Sequence, residues 1–248
     1  SEFYAKYLKI LTFLSFFGYY LIMNELTLVI PAKEEAESLP LVLDEIKGLN
    51  LKVIIVLADD DLKTIDALKN YDCEILYQSQ RGYGNAIIEG IKKAQTKYIA
   101  IFYADGSTDP LFLNPMLDKI LNEKYQIVFG SRYEKNAKSY DDDIITRIGN
   151  FGFTLVGNLL FSLKISDILF TYIVAEKQIM ENMDLKSNDY CLCTEIPLKS
   201  KKMNLKYATH PCIERKRLAG KKKVKAFKDG LKILFSLIKT FFNSNSFD

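Results

Sequence analysis

The sequence predicts an α/β fold in which a mostly parallel central sheet is flanked by helices. Short, continuous apolar runs alternate along the chain with segments whose apolar residues recur at helical spacing. The runs are typical of strands buried on both faces, and the alternation is typical of the parallel βαβ unit. The composition agrees, since 48% of the 248 residues are apolar. Such a chain can bury a sizeable core, which excludes disordered and fibrous proteins.

The first half of the chain carries the regular part of this pattern. Strands are predicted at 26–30, 53–57, 74–77, 98–102 and 126–129, and helices at 39–46, 84–94 and 111–121. Pro31 closes the first strand, and glycines open the second helix. Because helices connect successive buried strands, the strands are expected to lie parallel.

The second half is less regular. Residues 133–147 are polar and acidic, with three consecutive aspartates, and predict a surface loop of the length that closes over active sites. A helix is predicted at 148–163, an extended segment at 205–213 and another helix from about Ala226. No internal repeat or Pro-rich linker divides the chain. One domain is therefore expected at 25–225, with halves at 25–132 and 133–225.

Both ends of the chain are apolar. Residues 1–24 predict a hydrophobic helix, whose longest uncharged run has 14 residues (10–23), whereas a bilayer span needs about 20. Contact with a membrane interface, packing on the core or on a partner subunit of a homo-oligomer, and a true span all stay open. Residues 226–248 predict an amphipathic helix and tail. One stripe of that helix holds Phe227, Leu231, Leu234, Ile238 and Phe241. Such a helix lies in a membrane interface or packs on its own domain.

The charge is unevenly distributed. The formal net charge of +3 argues against a nucleic-acid partner. Residues 199–239 nevertheless hold 14 basic and 2 acidic residues, which suits an anionic membrane surface. The chain has one histidine, His210, and its four cysteines form no Cys-x-x-Cys pair. Histidine triads and histidine-rich zinc sites are therefore excluded, and any chemistry must use carboxylates, Lys and Arg, or a hard metal.

Two segments that follow strands are candidates for ligand binding. Asp105 and Asp109 follow the strand at 98–102, where a carboxylate could hold a divalent cation against a diphosphate. The alternative is an Asp-Gly turn, with Asp109 capping the next helix. Gly82 and Gly84 open a helix, where backbone N–H groups can approach phosphate oxygens. The segment lacks the Gly-Lys-Ser/Thr of a P-loop and the full dinucleotide pattern.

Taken in order, these motifs resemble the family 2 glycosyltransferases of the GT-A fold. The resemblance rests on residues 29–35, the aspartates at 59–61, the Arg-Gly-Tyr-Gly-Asn-Ala loop at 81–86, Asp105-Gly106-Ser107 and Gly130-Ser131-Arg132. Later segments are similar to the polyprenyl-phosphate branch, which includes dolichyl-phosphate mannose synthases and dolichyl- or undecaprenyl-phosphate glucosyltransferases. These are Gly149-Asn150, 158–161, Ser166-Asp167, Glu195 and 217–223.

The resemblance implies an inverting, metal-assisted enzyme that moves one sugar from a UDP- or GDP-sugar to a polyprenyl phosphate. It would work at the cytoplasmic face of a membrane as a peripheral or monotopic protein. The first half would bind the nucleotide sugar through Pro31, Ala32, Glu34, Asp59, Asp60, Gly82, Gly84, Ala86, Ala104 and Asp105. Mg²⁺ or Mn²⁺ would bind Asp105 and Ser107. Arg132, Arg217 and Lys223 would meet the acceptor phosphate or the leaving diphosphate, and the catalytic residues would be Asp105, Asp167 and Arg132.

The sequence also departs from the family pattern. Tyr103 replaces the first Asp of the Asp-x-Asp motif, so the metal is expected to arrive with the nucleotide, held largely by its phosphates. Residues 171–173 replace the usual Gly-Phe-Arg, and Leu62 follows three aspartates that leave the base-binding register open. A transferase acting on a glycan hydroxyl, with Asp167 or Glu195 as base, stays an alternative, as does a catalytically silent nucleotide-sugar binding module.

Overall fold

The computed structural model describes residues 23–242, and the predicted N-terminal helix lies almost wholly outside them. The strands are β1 (Leu26–Pro31), β2 (Lys52–Leu57), β3 (Glu74–Tyr77), β4 (Tyr98–Ile101), β5 (Ile127–Ser131), β6 (Lys138–Ser139), β7 (Ile173–Glu176), β8 (Tyr207–Pro211) and β9 (Ile213–Glu214). The helices are α1 (Leu39–Ile46), α2 (Leu62–Ala67), α3 (Tyr83–Lys93), α4 (Leu113–Glu123), α5 (Ile144–Phe161), α6 (Lys177–Asn182), α7 (Leu192–Lys202) and α8 (Ala226–Phe242).

A seven-stranded sheet forms the centre of the molecule, in the order β3-β2-β1-β4-β7-β5-β8. The first four strands pair in parallel, β7 runs antiparallel to both of its neighbours, and β5 pairs in parallel with β8. Strands β6 and β9 form a small parallel pair outside this sheet. The mostly parallel sheet predicted from the sequence is confirmed, with β7 as its antiparallel member.

Alternate side chains of the central strands pack into two apolar layers, one on each face of the sheet. In β1, Leu28 and Ile30 belong to the cluster beneath α1 and α4, whereas Val29 belongs to the cluster beneath α3. These side chains are fully buried, and each such burial stabilises the fold by about 1.5–3 kcal/mol. The second layer also takes in Ile233 and Leu237 of α8. The C-terminal helix therefore packs on the domain through a face that the sequence stripe did not single out.

The segment after β5 differs most from its prediction. The helix predicted at 148–163 begins at Ile144, because the Asp143 carboxylate accepts a hydrogen bond from the Thr146 N–H at 2.7 Å and so caps its first turn. The predicted loop at 133–147 is correspondingly shorter and contains β6. The acidic run thus both starts a helix and, through Asp141 and Asp142, faces the site described below.

Helix α5 is largely exposed. Within residues 23–242, it alone is long and apolar enough to cross a membrane by length and composition. Those two criteria carry little weight, because core helices of soluble proteins can also meet them. Its outward face holds Ile144, Ile148, Phe151, Leu155 and Leu159. The helix also contacts α8, where the Phe161 and Phe241 rings lie edge to face with centroids 5.9 Å apart.

Candidate active site

The candidate site lies where the neighbouring parallel strands β1 and β4 end. Pro31 is the last residue of β1, and Asp105 follows β4 by four residues. Such carboxyl ends are where open α/β sheets bind ligands. Residues 215–223, here named the basic strap, are held over this edge by backbone hydrogen bonds from Arg215 N–H to the Ser107 carbonyl at 2.8 Å and from Leu218 N–H to the Asp105 carbonyl at 2.9 Å.

Both oxygens of the Asp105 carboxylate are engaged. Oδ1 accepts hydrogen bonds from the Ser107 N–H at 3.0 Å and from the Ser107 hydroxyl at 2.7 Å, and Oδ2 lies 3.0 Å from Arg217 NH1. Gly106 turns the chain with φ of +77°, and a Cβ there would lie 2.5 Å from the Leu218 side chain. The Asp-Gly-Ser turn therefore lets the basic strap pack closely against Gly106.

Tyr103, at the first position of the Asp-x-Asp motif, contacts Thr171 through its hydroxyl. Its hydroxyl lies 3.0 Å from the Thr171 hydroxyl and accepts a hydrogen bond from the Thr171 N–H at 3.0 Å. Burial raises the pKa of Tyr103 well above its usual range, so the hydroxyl stays neutral. The two departures from the family pattern at 103 and 171 are thus partners in one contact.

The strap places three cations over the strand ends. Arg217 donates from Nε and NH2 to Asp141 at 3.2 and 2.7 Å, besides its ion pair with Asp105. Lys223 Nζ lies 3.7 and 3.8 Å from the Glu34 and Glu35 carboxylates. The third cation, Lys222, lies 3.6 Å from Asp142. Arg217 and Lys223, which the sequence predicts to bind anions, therefore lie beside Asp105 and Glu34, which it predicts to bind the nucleotide sugar.

The loop after β1 is held by the third aspartate of the 59–61 run. Asp61 accepts a hydrogen bond from the Glu34 N–H at 2.6 Å and caps α2 through Thr64. Asp59 and Asp60 are exposed, and Asp60 forms an ion pair with Arg81. The sequence left this register open, and the structure gives Asp61 the contact with the β1 loop. Nucleotide binding by Asp59 and Asp60 stays a prediction.

The glycines at the start of α3 face protein rather than open space. A Cβ on Gly82 or Gly84 would lie 2.1 Å from the backbone carbonyl oxygens of Asn188 and Ser187. Ala86 is buried in the core layer beneath α3, and Ala104 in the opposite layer. Close packing of the loop at 187–189 thus accounts for both glycines. This packing alone explains why glycine occurs at both positions, and contact of the two glycines with donor phosphates stays a prediction.

Arg132 is enclosed by three carboxylates. Its Nε and NH2 donate to the two oxygens of Asp167 at 2.7 and 3.1 Å, and NH1 lies 3.4 Å from both Asp142 and Glu214. All four side chains are at most 7% exposed. Burial raises the pKa of Glu214, while Arg132 opposes that shift. Contact of Arg132 with a phosphate stays a prediction, and its N–H groups contact these three acids in the structure.

The two candidate bases are also occupied. Asp167 binds Arg132 through both oxygens and also accepts the Arg132 backbone N–H at 3.2 Å. These contacts indicate that Asp167 positions Arg132, and its catalytic role stays a prediction. Glu195 accepts the backbone N–H groups of Lys186 and Ser187 and pairs with Lys199 at 2.8 Å. Burial acts to raise the pKa of Glu195, but these hydrogen bonds outweigh it and lower the pKa. Glu195 therefore forms an ion pair with Lys199 in the structure, and its use as a base stays a prediction.

A cavity of about 350 Å³ opens beside the Arg132 cluster. It is lined by Arg132, Tyr133, Glu134, Ala137, Arg147, Ile148 and Phe151. The Arg147 guanidinium lies 6.0 Å from the centre of the Tyr133 ring, and no carboxylate pairs with it among residues 23–242. The cavity thus offers the guanidinium of Arg147 beside the carboxylate of Glu134, and its apolar part continues into the exposed face of α5.

Sequence reasoning missed several residues of this arrangement. The sequence analysis places Asp141 and Asp142 in a surface loop and gives them no further role. Their position in an acidic run next to a predicted helix was a signal that could have indicated one. Lys222 was passed over in favour of its neighbour Lys223. Arg147 carried no signal, because a single Arg near a helix start is common on protein surfaces. The contact of Asn188 with the glycine loop joins residues about a hundred positions apart, which no local pattern indicates.

The fold and site together define a class: an α/β protein with a cationic strap over the carboxyl ends of two parallel strands, which is where open α/β sheets bind ligands. The family is shown directly. The model of the glycosyl transferase family 2 matches residues 27–183, and the chain belongs to that family. An uncharacterised protein of Methanocaldococcus jannaschii is 29% identical over 198 residues, which cover 76% of this chain and 80% of that protein.

Two further comparisons concern proteins with described activities. A dolichol-phosphate mannosyltransferase of Pyrococcus furiosus is 25% identical over 191 residues, which cover 71% of this chain but only 53% of that protein. Glucosyl-3-phosphoglycerate synthase of Mycobacterium tuberculosis, solved with Mn²⁺, UDP and glucosyl-3-phosphoglycerate, superposes with a TM-score of 0.69. The superposition covers 86% of this chain and 78% of that one at 14% identity. It shows the GT-A fold and confirms the predicted fold class, and the family makes the chain a nucleotide-sugar-using hexosyltransferase.

The residues around Asp105 do not form a protein-held site for a divalent ion. Asp105 is the only carboxylate of the Asp-Gly-Ser turn, Ser107 donates its hydroxyl proton to it, and Arg217 takes its other oxygen. Among residues 23–242, no group of three or more His, Cys, Asp or Glu side chains is arranged so that it could hold a metal ion. Mg²⁺ prefers several oxygen ligands in octahedral geometry. The donor set on the protein is thus poorer than the resemblance implied.

Proposed function

We propose that the protein transfers one sugar from a UDP- or GDP-sugar to a polyprenyl phosphate at the cytoplasmic face of a membrane. In this reaction an acceptor phosphate oxygen attacks the anomeric carbon and forms the new C–O bond. The bond from that carbon to the diphosphate breaks, and its electron pair leaves with the nucleoside diphosphate. One displacement of this kind inverts the anomeric configuration.

The contacts of the two candidate bases bear on the nature of the nucleophile. A sugar hydroxyl needs a carboxylate within hydrogen-bond reach to take its proton, but Asp167 and Glu195 are both committed to other contacts. A phosphate monoester is largely ionised near neutral pH, because its second pKa is about 6. A phosphate acceptor therefore reacts without a base, which favours it over a glycan hydroxyl.

The cavity beside Arg132 is the observation that carries the proposal. Arg147 offers a guanidinium without a carboxylate partner in the described residues, and arginine binds phosphate with paired hydrogen bonds. Ile148 and Phe151 line the same cavity and extend along α5 to Leu155 and Leu159. A phosphate joined to a long apolar chain matches this combination, with its head at Arg147 and its tail on α5.

The exposed faces of α5 and α8 support a membrane location. Helix α8 buries Ile233 and Leu237 against the domain, yet leaves Phe227, Leu231 and Phe235 exposed on its other side. Because α5 and α8 are in contact, their apolar faces are neighbours. Exposed patches of this extent on soluble monomers usually mark an interaction site.

The charges around α8 favour a lipid surface over a protein partner. Exposed lysines accompany the apolar residues at 225, 228, 232 and 239. Lysines beside an interfacial helix are attracted to anionic head groups by about 1 kcal/mol each. The two interpretations of this helix that the sequence left open are compatible, since one face packs on the domain and the other is free for lipid.

The experiment described below also distinguishes two alternative functions. The Mycobacterium tuberculosis neighbour was solved with a phosphoglycerate product, which makes a soluble phosphorylated acceptor the second candidate. A silent nucleotide-sugar binding module is the third. Mg²⁺ or Mn²⁺ carried by the diphosphate is compatible with either transferase, although no step above depends on it.

The test is an incubation of the protein with radiolabelled UDP- and GDP-sugars and vesicles containing undecaprenyl or dolichyl phosphate. Parallel incubations contain 3-phosphoglycerate instead of the lipid. We expect label in the organic extract only with polyprenyl phosphate. Label in the aqueous product with 3-phosphoglycerate would favour the second candidate, and nucleotide binding without transfer would favour the third.

A further inference from the structure

Arg217 is bound to the one carboxylate that would hold a metal. Its NH1 lies 3.0 Å from Asp105 Oδ2, while Ser107 occupies Oδ1 with two hydrogen bonds. At the other position of the motif, Tyr103 presents no carboxylate, and its hydroxyl accepts a hydrogen bond from the Thr171 N–H. A divalent ion would have to displace Arg217 in order to reach a single oxygen ligand on the protein.

The position of Arg217 is set by the backbone around it. The Leu218 N–H donates to the Asp105 carbonyl at 2.9 Å, and the Leu218 side chain lies on Gly106. Asp141 holds the Nε edge of the guanidinium with two hydrogen bonds. A guanidinium has five N–H donors, and Asp141 takes two of them. Donors therefore remain on NH1 and NH2 for an incoming anion.

The neighbouring lysines extend this charge toward β1. Lys222 and Lys223 lie 3.6–3.8 Å from their carboxylate partners, distances of loose ion pairs rather than short hydrogen bonds. They are partly exposed, at 39% and 26%. Each ammonium group has three N–H donors, so phosphate oxygens can bind the lysines while the long contacts to the carboxylates are kept. Arg217 over β4 and Lys223 over β1 then bracket the strand ends where a diphosphate would sit.

We propose that Arg217 serves as the resident cation of this site, so that the nucleoside diphosphate binds and leaves without a required divalent ion. This inference rests on the proposed use of a nucleotide sugar and is independent of the acceptor. Arg217, assisted by Lys222 and Lys223, takes up the negative charge that develops on the leaving diphosphate oxygen as its bond to the sugar breaks. A fixed guanidinium can supply this stabilisation, since preorganised cations act on developing charge in the way a metal does.

The test is calorimetric binding of UDP and GDP, first with Mg²⁺ and then with EDTA. For the wild type, we expect dissociation constants that agree within about threefold between the two conditions. Arg217→Gln removes a charge-assisted contact and should weaken binding in EDTA by about tenfold or more. Lys216→Gln is the matched control, because Lys216 lies on the same strap, is exposed and loses the same charge. It should change binding by no more than about twofold.

Three results would decide against the inference. Wild-type binding that requires Mg²⁺ would show that a metal, rather than Arg217, supplies the charge. Arg217→Gln binding equal to wild type in EDTA would remove Arg217 from the site. Failure of the wild type to bind either nucleotide in either condition would overturn the proposed function as well. Arg217→Lys keeps the charge without the planar fork, and a loss of about threefold or more in a variant with wild-type circular dichroism would support the specific role of the guanidinium.

Discussion

The Arg132 cluster allows a direct test of the positioning role assigned to Asp167. Asp167→Ala removes both oxygens that bind the Arg132 guanidinium and leaves its charge, which is 7% exposed, with two weaker partners at 3.4 Å. Breaking a buried pair on one side costs about 3–5 kcal/mol. For a domain of this size each kcal/mol lowers Tm by about 2–4 °C, so we expect a fall of roughly 6–20 °C.

The assay is thermal and urea unfolding followed by circular dichroism. Asp66→Ala is the matched control, because Asp66 pairs with Lys69 but both side chains are about 70% exposed. Such a surface pair contributes about 0–1 kcal/mol. If Asp167→Ala unfolded within about 1 kcal/mol of wild type, like the control, the buried-pair reasoning would be refuted. Asp167 would then be free for the catalytic role that the sequence suggested.

Three further predictions concern the acceptor cavity, the membrane surface and the pH dependence of stability. Arg147→Ala should raise KM for polyprenyl phosphate by about tenfold in initial-rate assays while UDP binding is unchanged; equal KM values would remove Arg147 from the acceptor site. Leu231→Asp combined with Phe235→Asp should reduce sedimentation with anionic vesicles by about tenfold or more, unlike Leu62→Asp on exposed α2. Burial raises the pKa of Glu214, so its contribution to stability is complete below the unfolded pKa and is lost as pH rises through the folded one. Glu214→Gln cannot ionise, so its free energy of unfolding should fall less than that of wild type between about pH 4 and pH 7 in urea titrations. Equal falls in the two proteins would contradict the raised pKa of Glu214.

The sheet could be predicted because its evidence is local. Each of β1 to β5 is a short apolar run, and the strand at Glu74–Tyr77 falls where it was expected. Strand β7 was missed, because Ile173–Glu176 is too short to stand out from its apolar surroundings, and its antiparallel pairing depends on two distant strands. Periodicity shows which faces are apolar but not which partner covers them.

The site was only half predictable for a related reason. The sequence assigned Asp105, Arg217 and Lys223 to one site through their resemblance to family motifs, and in the structure Arg217 lies 3.0 Å from Asp105. The resemblance could not show that Arg132 and Asp167, 35 positions apart, neutralise each other in the interior. Nor could it show that Tyr103 and Thr171 are partners. Electrostatic pairing of this kind depends on burial, which a residue's identity does not reveal.

A phosphate acceptor is already ionised near neutral pH and needs no base. Sugar transfer to undecaprenyl phosphate, compared with transfer to undecaprenol in otherwise identical vesicles, tests this mechanism directly. The two lipids share the apolar chain and differ in the phosphate, so we expect transfer to the phosphate alone. Transfer to the alcohol at a comparable rate would contradict the mechanism, because a hydroxyl acceptor requires a base and both candidate bases, Asp167 and Glu195, are committed to other contacts.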